Sequence, residues 1–242
     1  MGKAIQKLFP DALIQDPAQG FTTDKKASIA FVCVPTNNTK DGSLDMSIVE
    51  AVVMNGSEDL FIIRSALQPG TADRLEAMGK NIVVQPEYLG EGVNPPLLDE
   101  AKTPFMILGG SVENTRKAIE LYQHVYNANI KIRQVTNLEA EIIKLSENRA
   151  IMWKVAQCQE LFDVCERTGA DYYTVREAVY GDDPRFNLYW TFIYPDKRGA
   201  SSKCIPKDVY AWAAWAEGLG YKPELTRAIL ERNHKWLKQN KQ

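Results

Sequence analysis

The chain of 242 residues has no apolar run approaching the length of a membrane span, and its opening, MGKAIQKLFPDAL, lacks the apolar core of a signal peptide. A cytoplasmic protein with no membrane partner is the expectation. Histidine is scarce. His124 and His234 lie far apart, without metal-ligand spacing, so no metal is expected. Cys33, Cys158, Cys165 and Cys204 form no CxxC pair and read as reduced thiols rather than a disulfide scaffold. There is no excess of positive charge. Lys and Arg total 29 against 31 Asp and Glu, and a formal charge of −2 gives no reason to expect nucleic acid. Repeats, low-complexity segments and a complete GxGxxG glycine fingerprint are also missing.

What is present suits a folded chain of one large domain or two modest ones, since 45% hydrophobic and 25% charged residues are ordinary globular values. Residues 2–9 have the apolar spacing of a short helix that Pro10 ends, and Ala12–Ile14 form a brief apolar run before Asp16. A helix, a strand and a terminal acid are the later parts of a βαβ dinucleotide-binding unit. Gly2 stands where the last glycine of its fingerprint would stand. Asp16 before a proline is, by itself, more often a turn residue than a ribose ligand.

Apolar segments then alternate with helical ones. SIAFVCV, LFII, NIVV, FMIL and KIRQV read as strands, and SIVEAVV, TADRLEAM and NTRKAIELYQHVY as helices. The expected fold class is α/β, a truncated doubly wound, Rossmann-like parallel sheet over residues 1–136. Ligands of such sheets bind beyond the carboxyl ends of the strands, so Pro35, Thr36, Ser65 and the run Glu87 to Glu91 should line one crevice. From Asn137 to Thr168 the chain reads as one long helix without proline or glycine, opening an all-helical region over 137–242. Glu141, Lys144 and Asn148 share one of its faces, either as a solvated stripe or as part of a site. Tyr189, Trp190, Phe192 and Tyr194 lack a basic stripe and suggest a core or subunit interface.

The stretch KRGASSKCIPKD, residues 197–208, places Cys204 just ahead of a helix that Pro206 should start. The helix dipole and the charges of Lys203 and Lys207 there favour thiolate over thiol. A cysteine filling space as a small hydrophobe is the alternative.

Seven motifs in common order carry a resemblance. They are VCVPT (32–36), RSALQPGT (64–71), QPEYLGEG (85–92), EIIKLSEN (141–148), CERTGAD (165–171), DPRF (183–186) and CIPKD (204–208). Together they resemble the nucleotide-sugar dehydrogenases that oxidise UDP-glucose or GDP-mannose. The resemblance implies a two-step oxidation of a sugar CH2OH to a carboxylate with NAD as cofactor, a nucleotide-sugar substrate and a homodimer formed by the helical domain. It makes Cys204 the nucleophile, Lys144 and Asn148 the groups that steady oxyanions, Asp208 the residue acting on water, and Glu87 the one linked to thioester hydrolysis. Gly2, Asp16, Pro35, Thr36, Ser65 and Glu91 fall to the cofactor, and Tyr88, Leu89 and Lys207 to the substrate. The family's first strand has no counterpart before Gly2, nor its final nucleotide-binding domain after residue 242. An incomplete or inactive subunit acting through dimerisation is therefore the alternative expectation.

Overall fold

The structure is a computed structural model and describes residues 2–23, 25–90, 97, 99–126 and 128–240. It divides into two compact units. The first takes in the chain up to Asn37, Leu44–Gly90 and Leu97–Lys144, and the second takes in Asn38–Ser43 and the chain from Leu145 on.

The first unit is built on a five-stranded sheet in the order β1 (Ile29–Val32), β2 (Leu60–Ile63), β3 (Ile82–Val84), β4 (Phe105–Gly109) and β5 (Lys131–Val135). All four residues of β2 and all three of β3 are buried, as continuous apolar runs covered on both faces should be. Lys131 and Arg133 of β5 are exposed, and charges at an edge oppose pairing with another sheet. Around the sheet run α1 (Gly2–Leu8), α2 (Ser47–Asn55), α3 (Thr71–Ala77) and α4 (Val112–Tyr122). Ser111 caps α4 by accepting the Asn114 N–H, and Ala118 and Tyr122 of that helix pack on Leu60, Ile62, Met106 and Leu108.

Two expectations are corrected. The sheet is mixed, because β4 runs antiparallel to β3 through the pair Val84 and Gly109. Parallel neighbours need a long crossover, usually a helix, and the described residues between β3 and β4 hold only a 3-10 turn at Glu100–Lys102. Nor is there a strand at Ala12–Ile14. Asp16 instead pairs with Phe21 across a tight turn closed by the 3-10 turn Pro17–Gln19.

Gly109, where β4 ends, has no room for a side chain. A Cβ there would stand 2.6 Å from the Ala140 methyl and 2.9 Å from the Thr136 carbonyl oxygen. Gly109→Ala is expected to cost about 1–3 kcal/mol in urea denaturation, the usual penalty for overpacking.

The second unit is helical. The long helix α5 spans Asn137–Thr168, and the boundary between the units falls within it. Then come α6 (Tyr172–Arg176), which runs into a π-helical turn at Glu177–Asp182, α7 (Ile205–Gly218) and α8 (Glu224–Gln239). Met152, Ala200, Val209, Ala213 and Leu230 make one core cluster, and Cys158, Cys165, Tyr172, Tyr180 and Ile193 make another. Cys158 and Cys165 are thus packing residues. Of the aromatic loop, Thr191 and Ile193 are buried anchors, while Phe186, Tyr189, Trp190, Phe192 and Tyr194 are exposed. Among the described residues no helix is long and apolar enough to cross a membrane.

Candidate functional site

In the first unit the chain leaves β1, β2 and β3 at the same end of the sheet, because those strands are parallel. Three loops begin there. The Ser65 hydroxyl donates to the Val34 carbonyl at 2.7 Å and accepts the Val34 N–H at 2.9 Å, tying the loop after β1 to the loop after β2. Pro35 and the buried Thr36 follow directly. Beyond β3 comes Glu87, half-buried, whose carboxyl is raised above its ordinary range by burial, against the opposing charges of Lys144 and Arg64.

Lys144, on α5, reaches the same loop. Its ammonium donates to the Glu87 main-chain oxygen at 2.5 Å and lies 5.3 Å from the centre of the Tyr88 ring, which itself packs on Phe105. Lys144, Glu87 and Tyr88, assigned separately from sequence, are therefore neighbours, with Leu89 half-buried next in the chain. Glu91 lies outside the described residues. Burial pushes the Cys33 thiol up to about 11, which leaves it protonated and inert.

Glu141 has a task that spacing alone did not indicate. Far from lying in a solvated stripe, it is buried and caps α3 from outside, accepting the N–H of Gly70 at 2.5 Å and of Ala72 at 2.8 Å. Burial raises its carboxyl from 4.5 to about 7, although those two bonds pull the other way. An acid whose folded pKa is raised contributes stability that is full below its unfolded value, here 4.5, and is lost as pH rises through about 7. Urea denaturation from pH 4 to 8 should thus show a loss of about 3 kcal/mol that Glu141→Gln flattens.

In the second unit Cys204 immediately precedes α7, which starts one residue earlier than Pro206 suggested. The Ser202 hydroxyl oxygen accepts the Ile205 N–H at 3.2 Å, and the Asp208 N–H donates to the Cys204 carbonyl at 3.0 Å. Cys204 is half-buried and in no disulfide. Asp208, one turn on, is 1% exposed, with both carboxylate oxygens engaged. Asn148 of α5 donates to one at 2.5 Å and the Lys207 ammonium approaches the other at 2.6 Å. A carboxylate this deeply buried needs donors on its oxygens, and Asn148 and Lys207 supply them. The Lys207 ammonium is thus held by Asp208. Segment 38–43 packs on this same turn, Asn38 donating to the Lys207 carbonyl at 3.0 Å.

The fit to a dinucleotide is uneven. The strand ends suit one, since Ser65 fixes the loop that carries Pro35 and Thr36. Asp16 does not offer a free carboxylate, because its oxygens accept the backbone N–H and side-chain amide of Gln19. Gly2 opens a seven-residue helix, and a Cβ there would meet nothing within 4 Å, so no close backbone approach requires glycine.

Comparison with known proteins accounts for both units. Residues 14–129 match the NAD binding domain of the UDP-glucose/GDP-mannose dehydrogenase family, and residues 138–235 match its central domain. The chain belongs to the UDP-glucose/GDP-mannose dehydrogenase family. Among relatives in this family, it is 29% identical to a UDP-glucose 6-dehydrogenase of Pseudomonas aeruginosa, with 86% of this chain and 48% of the relative covered. It is 27% identical to a UDP-glucose 6-dehydrogenase of Bacillus subtilis, covering 92% of this chain and 50% of the relative. Among solved structures, a UDP-glucose dehydrogenase from Pyrobaculum islandicum superposes with a TM-score of 0.74 at 26% identity, covering 86% of this chain and 50% of that one. The chain thus spans about half the length of these family members. NAD is the cofactor that the matched family domain binds.

Proposed function

We propose that the protein is an NAD-dependent nucleotide-sugar dehydrogenase that converts UDP-glucose, or a similar UDP- or GDP-hexose, to the corresponding uronate through a covalent intermediate on Cys204. The observation that carries this is the grouping at the start of α7. Cys204 is followed one turn later by a buried Asp208 that Asn148 and Lys207 hold in place. NAD, when bound, supplies the acceptor for each hydride, and Pro35, Thr36 and Ser65 at the strand ends would lie along it, with Gly2, Asp16 and Glu91 assigned to it only by resemblance.

The residues of the chain divide the remaining work. Asp208 orients or deprotonates water during oxidation of the alcohol to the aldehyde. The Cys204 thiolate attacks the aldehyde carbon, forming a carbon–sulfur bond, and the resulting thiohemiacetal keeps the aldehyde from escaping between the two oxidations. Lys144 takes the negative charge developing on the substrate oxygen, with Asn148 as a supporting donor. After the second oxidation has produced a thioester, water attacks its carbonyl, the carbon–sulfur bond breaks, and the thiolate of Cys204 leaves. Glu87 serves this hydrolysis, and the rise that burial gives its carboxyl favours a part in proton transfer. Tyr88 and Leu89 lie along the sugar nucleotide, and Lys207 lies near it.

Incubation of the folded chain with NAD and a series of UDP- and GDP-hexoses tests the proposal. Growth of reduced-cofactor absorbance with at least one of them is expected, and a folded chain that oxidises none overturns it. The exposed aromatic residues Phe186, Tyr189, Trp190, Phe192 and Tyr194 favour a second reading, a subunit that works by self-association. A dimeric mass by light scattering together with no heat of NAD binding supports that reading, and tight NAD binding counts against it.

A further inference from the structure

The segment that delivers Cys204 to α7 is held by two asparagine side chains from the far end of the second unit. Asn233 of α8, itself 5% exposed, accepts the Ala200 N–H at 2.7 Å and donates to the Ala200 carbonyl at 3.1 Å. Asn240, just past the end of α8, does the same to Arg198, accepting its N–H at 2.7 Å and donating to its carbonyl at 2.9 Å. Each carboxamide thus makes with one residue the pair of bonds that a neighbouring strand would make. An irregular segment beside a helix has no strand partner, so side chains or water must satisfy its backbone groups.

Gly199, between the two clamped residues, shows how close the approach is. It has φ +81°, and a Cβ there would stand 2.8 Å from the Asn233 oxygen and 3.3 Å from the Trp236 Cβ. The Arg198 side chain anchors the same segment to α5. It donates to the Gln159 side-chain oxygen and, at 2.6 Å, to Asp163, which also accepts from Arg232 and the Trp236 indole. Ala200 is packed in the core with Met152 and Leu230. From there the chain reaches the Ser202 hydroxyl on the Ile205 N–H, and then Cys204.

We propose that Asn233 and Asn240 are positioning residues for Cys204, fixing the backbone of Arg198–Ala200 so that the thiol keeps one place ahead of α7. The functional sense of this rests on Cys204 being the nucleophile. A thioester-forming cysteine must meet its carbonyl at close range, and a displacement of about 1 Å is enough to cost much of the rate.

The test is alkylation of the full chain by a maleimide over a pH series, with each cysteine followed by peptide mass spectrometry. In Asn240→Ala, at an exposed position, the high-pH plateau for Cys204 is expected to rise about fivefold, because the half-buried thiol is uncovered when the segment opens more often. Asn233→Asp, which keeps the bond from the Ala200 N–H but sets an ionised oxygen against the Ala200 carbonyl, should raise it at least as much. Cys158 and Cys165 should stay protected in both. Unchanged Cys204 reactivity in both variants, or a rise shared equally by Cys158 and Cys165, overturns the proposal. Alkylation needs neither cofactor nor sugar. A wild-type chain without turnover would therefore refute the proposed function and leave this result standing, and unchanged alkylation would refute the clamp alone.

Discussion

Cys204→Ser is expected to lower the formation of uronate at least about a thousandfold, the scale of losing the nucleophile in covalent catalysis, while NAD affinity by calorimetry stays unchanged. The reason lies in the difference between the two half-reactions. Oxidising an alcohol requires only that a proton and a hydride leave, whereas taking an aldehyde to an acid requires an oxygen or sulfur nucleophile on the carbonyl first. Serine at neutral pH is a poor nucleophile without a base beside it, and its ester would hydrolyse more slowly than a thioester. The variant should keep its fold, since Ile205–Gly218 begins after residue 204 and serine is a favourable residue ahead of a helix. A two-electron hydroxyacid dehydrogenase of similar plan needs no nucleophile. Full activity in the variant would contradict the role of Cys204 as nucleophile.

The second large effect is structural. Glu100→Ala should destabilise the first unit by about 3–5 kcal/mol in urea denaturation, the usual cost of removing one partner from a buried ion pair. Arg64 and Glu100 pair at 2.6 Å with their side chains 1% and 7% exposed, and the Tyr126 hydroxyl donates to the same carboxylate oxygen at 2.9 Å. Deleting the carboxylate leaves the buried guanidinium without its counter-charge. Glu100→Gln keeps an acceptor and should cost less. The double change Arg64→Met with Glu100→Leu removes both charges and is expected to recover most of the loss, because two charges lifted from water repay little beyond each other.

The parts of the fold legible in the sequence are those decided locally. Helix α5 was readable from end to end, since no glycine or proline interrupts Asn137–Thr168, and β2 and β3 announced burial on both faces by uninterrupted apolar residues. Ala12–Ile14 misled because three apolar residues satisfy a strand and a turn equally, and neighbouring strands decide between them. The direction of β4 was hidden because it depends on what joins it to β3. In the site, Lys144 lies against Glu87 and Tyr88, and Asn148 against Asp208, pairings that the spacing of the motifs did not specify. Glu141 escaped because its partners, Gly70 and Ala72, lie about 70 residues away and are backbone groups that carry no sequence signal. Asn233 and Asn240 escaped for the same reason. Ser202 alone left a trace, as a hydroxyl shortly before a helix start.

The most direct test of the proposed four-electron chemistry is the number of reduced cofactors formed per sugar consumed, with the nucleotide sugar limiting and NAD in excess. Two NADH per sugar, with a uronate as product, is the predicted result. One NADH per sugar, with an aldehyde or ketone left in solution, would contradict it.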